Sequence, residues 1–490
     1  MLKKALVLIP HHDDEIGAAG VIIKRLVELS AEVYVCYATN GDFEMPAEIR
    51  IGEAVEALGV LGVPKEHIIT LGYPDTSNEN QFDHIFYFNN EVAIQSRAGY
   101  TATYGAGDFN DFIFTQIGKH HPYNKRNYEE DVKRVIQAVE PDLLVCVDMD
   151  HHVDHRMLSL VFDKVMGKIL IDNPEYRPII WKAFAYGTGF SALSDYHEMN
   201  LASTSFPSTR LADNEGRLDN PFYDWEKRIR IPSKKEWYQA PIENSVFYQA
   251  LACHKSQNAT VFAERTINSD QVVWERRSDN LLLHGSIETS SGDSACLRDF
   301  MLFDAEEIHD VANIKMCGFW KPAKEDRRKQ IILCLDKTYK VNSISIWGIG
   351  TSVKVQIEYE GKQVSKSVEY LCGELCVLLP EIAEISKLSL SFSYDERNEF
   401  GIGEIEVFED KPIETKYIKL LADDTMLDVF YTWMHRPRIS VYQYCRYNLK
   451  GDEAVTVWLN DKEVTVPFRI PWSMFLKNRK IILDFLVRID

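Results

Sequence analysis

Short apolar runs and stretches of helical periodicity alternate through the first third of this chain, and that alternation limits its fold more than any other feature. Residues 5–9 and 33–38 read as buried strands, and residues 17–29 and 51–61 read as helices with apolar positions three and four apart. Strands separated by helices do not pair as hairpins. They predict an α/β unit: a Rossmann-like, mostly parallel sheet with helices on both faces. Further on, Asn127 with Glu130 three residues later reads as a helix cap, Val132, Val135, Ile136 and Val139 recur at helical spacing, and Pro141 ends the helix. Leu143–Val147 suits a central parallel strand, and residues 157–170 read as the helix that follows it.

The chain has 490 residues, more than the roughly 250–300 that one hydrophobic core serves, so further domains are expected. Beyond about residue 285 the pattern changes. Residues 286–294 are rich in Ser, Thr and Gly, and period-2 segments such as 354–359 and 387–394 then dominate, predicting an all-β sandwich. A second break at 410–412 precedes strand-like runs at Ala454–Leu459 and 464–470, with Asn460-Asp461 as a turn. The expected domains are therefore an α/β domain at 1–283, a β-sandwich at 284–410 and a small β-rich domain at 411–490.

A formal charge of −19 and the lack of a Lys/Arg cluster argue against a nucleic-acid partner. Nine scattered cysteines without metal-finger spacing read as free thiols of a reducing compartment. Residues 5–9 are too short for a signal sequence and read as the first strand; no apolar stretch approaches the roughly 20 residues of a membrane span. A cytoplasmic protein is expected.

Two segments carry the chemistry, each just after a predicted central strand: Pro10-His11-His12-Asp13-Asp14-Glu15 and Asp150-His151-His152-Val153-Asp154-His155. Ligands of open α/β sheets bind at the carboxyl ends of the strands, so the two segments can converge. Catalytic zinc takes three protein ligands from His and carboxylate and keeps a position open for water. His11 and Asp14, three apart in a turn, can point at one centre, and His155 completes a two-His, one-carboxylate set. Asp13 is then free to take a proton from water, and His152 to donate a hydrogen bond to the tetrahedral intermediate or the leaving amine. Asp150 or Asp154 would orient an imidazole from behind. On the residues alone, phosphoester and amide hydrolysis both remain open, and iron or cobalt could replace zinc.

The segment from His11 to Glu15 resembles the His-Pro-Asp-Asp-Glu signature of the PIG-L or LmbE-like family of zinc-dependent N-acetylglucosaminyl deacetylases, and the segment from His152 to His155 resembles its His-Pro-Asp-His partner. Thr39-Asn40-Gly41-Asp42, Arg50 and Glu53, Leu61-Gly62-Val63, Leu71-Gly72-Tyr73-Pro74-Asp75 and His254-Lys255-Ser256-Gln257 agree in order, so the resemblance spans roughly residues 1–280. It implies Zn2+ (Fe2+ or Co2+ being possible substitutes) held by His11, Asp14 and His155, with Asp13 as general base and His152 stabilising the oxyanion. It also implies an N-acetylated sugar or glycoconjugate as substrate. Arg50 and Asp75 match positions that contact sugar hydroxyls; His254 either contacts substrate or hydrogen-bonds within the fold. Tyr104, Gly105 and residues 124–127 sit in a long insertion that could shape the pocket.

Two positions depart from the family pattern: His12 and Val153 stand where proline is usual. Loss of proline loosens a turn without removing a ligand, and His12 is expected to face the surface or the substrate. Residues 295–410 resemble galactose-binding-like or discoidin-like sandwiches through Phe319-Trp320 and the run from Gly401 to Val407. Trp320, Trp347 and Trp458 are expected in the core rather than exposed for sugar stacking. Removal of acetyl from an N-acetylglucosamine-type sugar is the leading expectation. A metal-dependent amidase on a non-sugar N-acyl substrate and a glycan-binding protein with a vestigial centre are the alternatives.

Overall fold

The computed structural model describes residues 3–76, 92–150, 152–185, 229–237, 242–267, 270–302 and 318–409, and the strands at 454–459 and 462–467. Its first unit is built on β1 (Lys4–Ile9), β2 (Glu32–Thr39), β3 (Ile68–Tyr73), β4 (Leu143–Val147) and β5 (Ile179–Ala183), all parallel. β6 (Ile229–Pro232) and β7 (Asp270–Arg276) extend one edge, β7 antiparallel to both β5 and β6. The order is β3-β2-β1-β4-β5-β7-β6. β1 and β4 are neighbours, and the chain leaves them in opposite directions. Right-handed crossovers therefore put the helices after them on opposite faces, opening a crevice at their carboxyl ends.

Those helices are α1 (Asp14–Glu28) and α5 (Val153–Asp172). Between them come α2 (Ala47–Leu61), α3 (Phe112–Ile117) and α4 (Lys125–Val139), with α6 (Val246–Leu251) after β6. α1, α2 and α6 pack together, as do α4 and α5, so the sheet is covered and β1 and β4 are buried along almost their whole length. Gly17 lets α1 approach the chain leaving β5: a Cβ there would lie 2.6 Å from the Ala185 carbonyl oxygen. α4 begins earlier than the sequence predicts. Its cap is Asn124, whose side chain accepts from Asn127 N, because the first turn is polar and the apolar stripe starts only at Tyr128.

The second unit is an antiparallel, sandwich-like sheet of β8 (Ser286–Thr289), β9 (Gln330–Tyr359), β10 (Lys362–Ser393) and β11 (Gly401–Glu409). The short strands expected at 354–359 and 387–394 are the ends of long, bent strands. Ser389 pairs with both Ile332 and Glu358, so the end of β10 lies between the two ends of β9. The Ser/Thr/Gly-rich stretch that suggested a break contains β8, paired with β9. β12 (Ala454–Leu459) and β13 (Lys462–Pro467) form a hairpin. The side chain of Trp458, His151 and most of residues 411–490 lie outside the described residues.

Trp320 and Trp347 are buried, as expected; their indole N–H groups donate to Ser291 O and to Glu406. The two units share packing. Phe300, Leu302 and Trp347 join the core of the first, while Leu281 and Leu282 join that of the second and Leu283 returns to the first. The described cysteines are all free, and no helix among the described residues is long and apolar enough to cross a membrane.

Candidate metal centre

β1 delivers its chain into a tight turn. Thr39 at the end of β2 clamps that turn, its N–H and hydroxyl both donating to Pro10 O. Asp14 opens α1 and its carboxylate folds back to accept from His11 N at 3.0 Å. Asp13, between them, sits at φ 148°, ψ −21°, a conformation that a side-chain-bearing residue rarely holds and that marks functional turns. Across the crevice, β4 runs into Asp148 to Asp150, and His152 caps α5 with its Nδ1 accepting from Asp154 N.

Three atoms meet at the switch point. His11 Nδ1 is 3.1 Å from Asp14 Oδ2 and 3.2 Å from His155 Nε2, and the third side, His155 Nε2 to Asp14 Oδ2, is 3.2 Å. Behind them, His11 Nε2 donates to Asp154 Oδ2 at 3.0 Å and His155 Nδ1 to Asp150 Oδ2 at 2.6 Å. Carboxylates only accept, so each outer nitrogen carries a proton, and in the neutral ring each inner nitrogen is left with a lone pair to offer to the centre. A carboxylate oxygen and two imidazole lone pairs at such distances repel one another unless positive charge lies among them.

That demand is visible in the titration of the rings. Burial opposes charge on both, yet Asp75, Asp14 and Asp154 raise His11 well above its usual value, and Asp14 and Asp150 raise His155 to about 10. A tetrahedral ion with bonds of about 2.0–2.1 Å sets its ligand atoms about 3.3–3.4 Å apart, close to the triangle seen here. The residues thus fit a divalent metal. Two overlapping groups, His11 with His152 and His155, and His11 with Asp75 and Asp154, also bring one donor atom each within 4.8 Å of the others. In both, a nitrogen already bound to a carboxylate or amide would have to be released, so the His11, Asp14, His155 triangle is the better set.

Around the triangle, Asp13 is pushed up to about 6, by burial first and by Asp14, against the pull of Arg50. Arg50 is buried and donates to His12 O at 2.7 Å, with Asp13 Oδ1 at 3.5 Å. Asp75 places Oδ1 3.4 Å from His11 Nε2. His152 is lowered to about 3, by burial and then by His11 and His155, so it is neutral; with Nδ1 occupied by the Asp154 amide, Nε2 bears the proton. His254 is fully buried behind Asp13 and donates from Nε2 to Glu15, whose other oxygen accepts from Asp13 N at 2.9 Å. It therefore hydrogen-bonds within the fold.

His12 corrects an expectation. It is fully buried rather than facing surface or substrate, with its ring stacked on Tyr37 at 4.3 Å and too close to Gly41 for any Cβ there. Among the described residues neither ring nitrogen finds a hydrogen-bond partner, and burial, then Arg50, holds the ring neutral. Sequence reasoning gave no role to Glu15, although it stands in the first motif. Nor did it single out Thr76, which donates from its hydroxyl and its amide to Asp154. A lone threonine in a loop offers no signal.

No curated protein matches this chain. Among solved structures, a deacetylase from the biosynthesis pathway of teicoplanin is similar at 15% identity over 56% of this chain and 99% of its own, with a TM-score of 0.32. The N,N'-diacetylchitobiose deacetylase from Pyrococcus horikoshii is similar at 15% identity over 56% of this chain and 85% of its own, with a TM-score of 0.29. The family 32 CBM from Clostridium perfringens NanJ, in complex with galactose, is similar at 17% identity over 26% of this chain and 96% of its own, with a TM-score of 0.20. Residues 6–166, which include both motif turns and the whole triangle, match the PIG-L family, described as GlcNAc-PI de-N-acetylase.

Proposed function

We propose that this chain is a zinc-dependent hydrolase that removes the acetyl group from an N-acetylglucosamine-type sugar or glycoconjugate. The observation that most supports this is the triangle of His11 Nδ1, Asp14 Oδ2 and His155 Nε2, with sides of 3.1, 3.2 and 3.2 Å, beside an unliganded carboxylate at Asp13. A zinc ion held by these three, or iron or cobalt in its place, would polarise the acetyl carbonyl and acidify a water.

Asp13 takes the proton of the attacking water. Its carboxyl, raised by burial, is more basic than a free aspartate yet ionised near neutrality. His152 donates a hydrogen bond from its Nε2–H to the developing oxyanion, and the proton that Asp13 took from the water passes to the leaving amine as the C–N bond breaks. Asp150 and Asp154 fix the tautomers of His155 and His11, and Glu15 with His254 holds the strained backbone of Asp13. Arg50 and Asp75 are assigned to the sugar hydroxyls in this reading. The domain division at 1–283, 284–410 and 411–490 and a cytoplasmic location belong to the same proposal.

Acetate release from a panel of N-acetylated sugars and non-sugar N-acyl compounds, with and without chelator, tests it. Turnover of the sugars, lost with chelator and restored by Zn2+, is expected. Turnover confined to non-sugar amides would favour the amidase alternative, and sugar binding without turnover a vestigial centre. The pH profile is a second check. Because Asp13 must be ionised to act as base, kcat/KM is expected to fall as pH drops through about 6, or somewhat lower because a bound cation favours the carboxylate. A rate that rose on acidification would oppose the assignment.

A further inference from the structure

Residues 94–110 fold over the carboxyl ends of β2 and β3. Asn40, just beyond β2, donates from its side chain to Tyr104 O at 3.0 Å, and Gly72 in β3 lies so near that a Cβ would approach Tyr104 O to 2.8 Å. From there a chain of contacts leads to the centre. Tyr104 OH donates to Asp42 Oδ2 at 2.7 Å, Asp42 Oδ1 accepts from Asp75 N at 3.0 Å, and Asp75 Oδ1 is 3.4 Å from His11 Nε2.

Tyr100 lies flat on Tyr104, with ring centroids 3.9 Å apart and planes at 17°, yet it is 47% exposed. Single exposed aromatics are common and need no function. This one is held in place: Tyr100 N donates to Ser96 Oγ, Ser96 N donates to Tyr100 O at 2.7 Å, and the ring is fixed by a partner anchored on Asp42. Three residues earlier in the same segment, the guanidinium of Arg97 lies 4.3 Å over the ring of Phe43, the residue after Asp42, and ties this segment to the turn beyond β2. A fixed, half-exposed aromatic face, joined through Tyr104, Asp42 and Asp75 to the crevice, suits the apolar face of a pyranose.

We propose that Tyr100 is the platform for a second sugar ring, so that the substrate carries another pyranose linked to the N-acetylated one. The acetylated ring then lies by Asp75 and Arg50, and the second stacks on Tyr100. This rests on the deacetylase reading above, and two measurements on the full chain separate the two claims. With N,N'-diacetylchitobiose and N-acetylglucosamine as probes, the wild type is expected to prefer the disaccharide in kcat/KM. Tyr100→Ala is expected to cut that preference about five- to tenfold, and Tyr100→Trp to keep it.

Calorimetric binding of the disaccharide is the second readout. Weaker binding by Tyr100→Ala, even with no acetate released by any form, would retain the platform and retire the hydrolytic reading. Equal binding and equal preference in wild type and Tyr100→Ala would overturn the platform while leaving the hydrolase intact. Failure of the wild type to bind or hydrolyse the disaccharide would overturn the platform, and failure to release acetate from either sugar would count against the hydrolase as well.

Discussion

Asp13→Asn is expected to lower kcat about a hundred- to ten-thousandfold while leaving the bound metal in place. The change removes only the ability to take a proton. Asparagine has nearly the same volume, and it is among the residues that tolerate positive φ, so it can keep the 148° conformation that alanine would hold less readily. The Asp13 N–H that donates to Glu15 is untouched, and the ligands come from His11, Asp14 and His155, none of which hydrogen-bonds to the Asp13 carboxylate. Metal content by mass spectrometry and acetate release should therefore separate. In His155→Ala they should fall together, because one corner of the triangle is gone and Asp150 is left in the interior with a cavity in place of its partner. Full activity in Asp13→Asn would remove Asp13 from the role of base. Loss of metal from the same variant would show that Asp13 helps hold the ion.

The parts of this molecule that were legible in its sequence are those where one segment holds the whole signal. β1, β2 and β4 are central parallel strands, buried on both faces, so each is a continuous apolar run whose type and position can be read directly. The two motif turns were readable for a related reason: each packs several possible ligands into five or six residues at a strand end. What could not be read depends on partners far apart in the chain. Glu15 and His254 are 239 residues apart and meet only because α6 leads its chain back against α1. His12 looks polar in a polar loop, and its burial comes from Tyr37 and Gly41 in the neighbouring strand and turn, which no local periodicity reports. In the sandwich the period-2 pattern identifies strands but does not show that two of them continue through bends. Alternation survives a bend, and only the pairing register reveals which ends meet.

Lys182→Ala is expected to destabilise the protein by about 3–5 kcal/mol, a large share of the roughly 5–15 kcal/mol that separates folded from unfolded states. Lys182 lies on β5 with no exposed surface, donating to Asp163 Oδ1 at 2.9 Å and Ser159 Oγ at 2.8 Å, with Asp148 Oδ1 at 3.7 Å and the ring of Phe162 beneath its ammonium. Removing it strands buried carboxylates in the interior, a larger penalty than losing the contact itself. The same network spans the two units: Asp163 approaches Arg276 at 4.0 Å, and Arg276 donates to Phe300 O and lies 3.7 Å from Glu406 on β11. It also leads to the second motif turn. Asp148 accepts from Ser159 Oγ and from Met149 N, one residue before the Asp150 that orients His155. A lower denaturation midpoint should therefore be accompanied by weaker metal retention. Lys182→Met combined with Asp163→Leu, which removes the charges in pairs, should recover much of the stability. Stability unchanged in Lys182→Ala would mean that water reaches this network in solution, and that the second motif is held by its own turn alone.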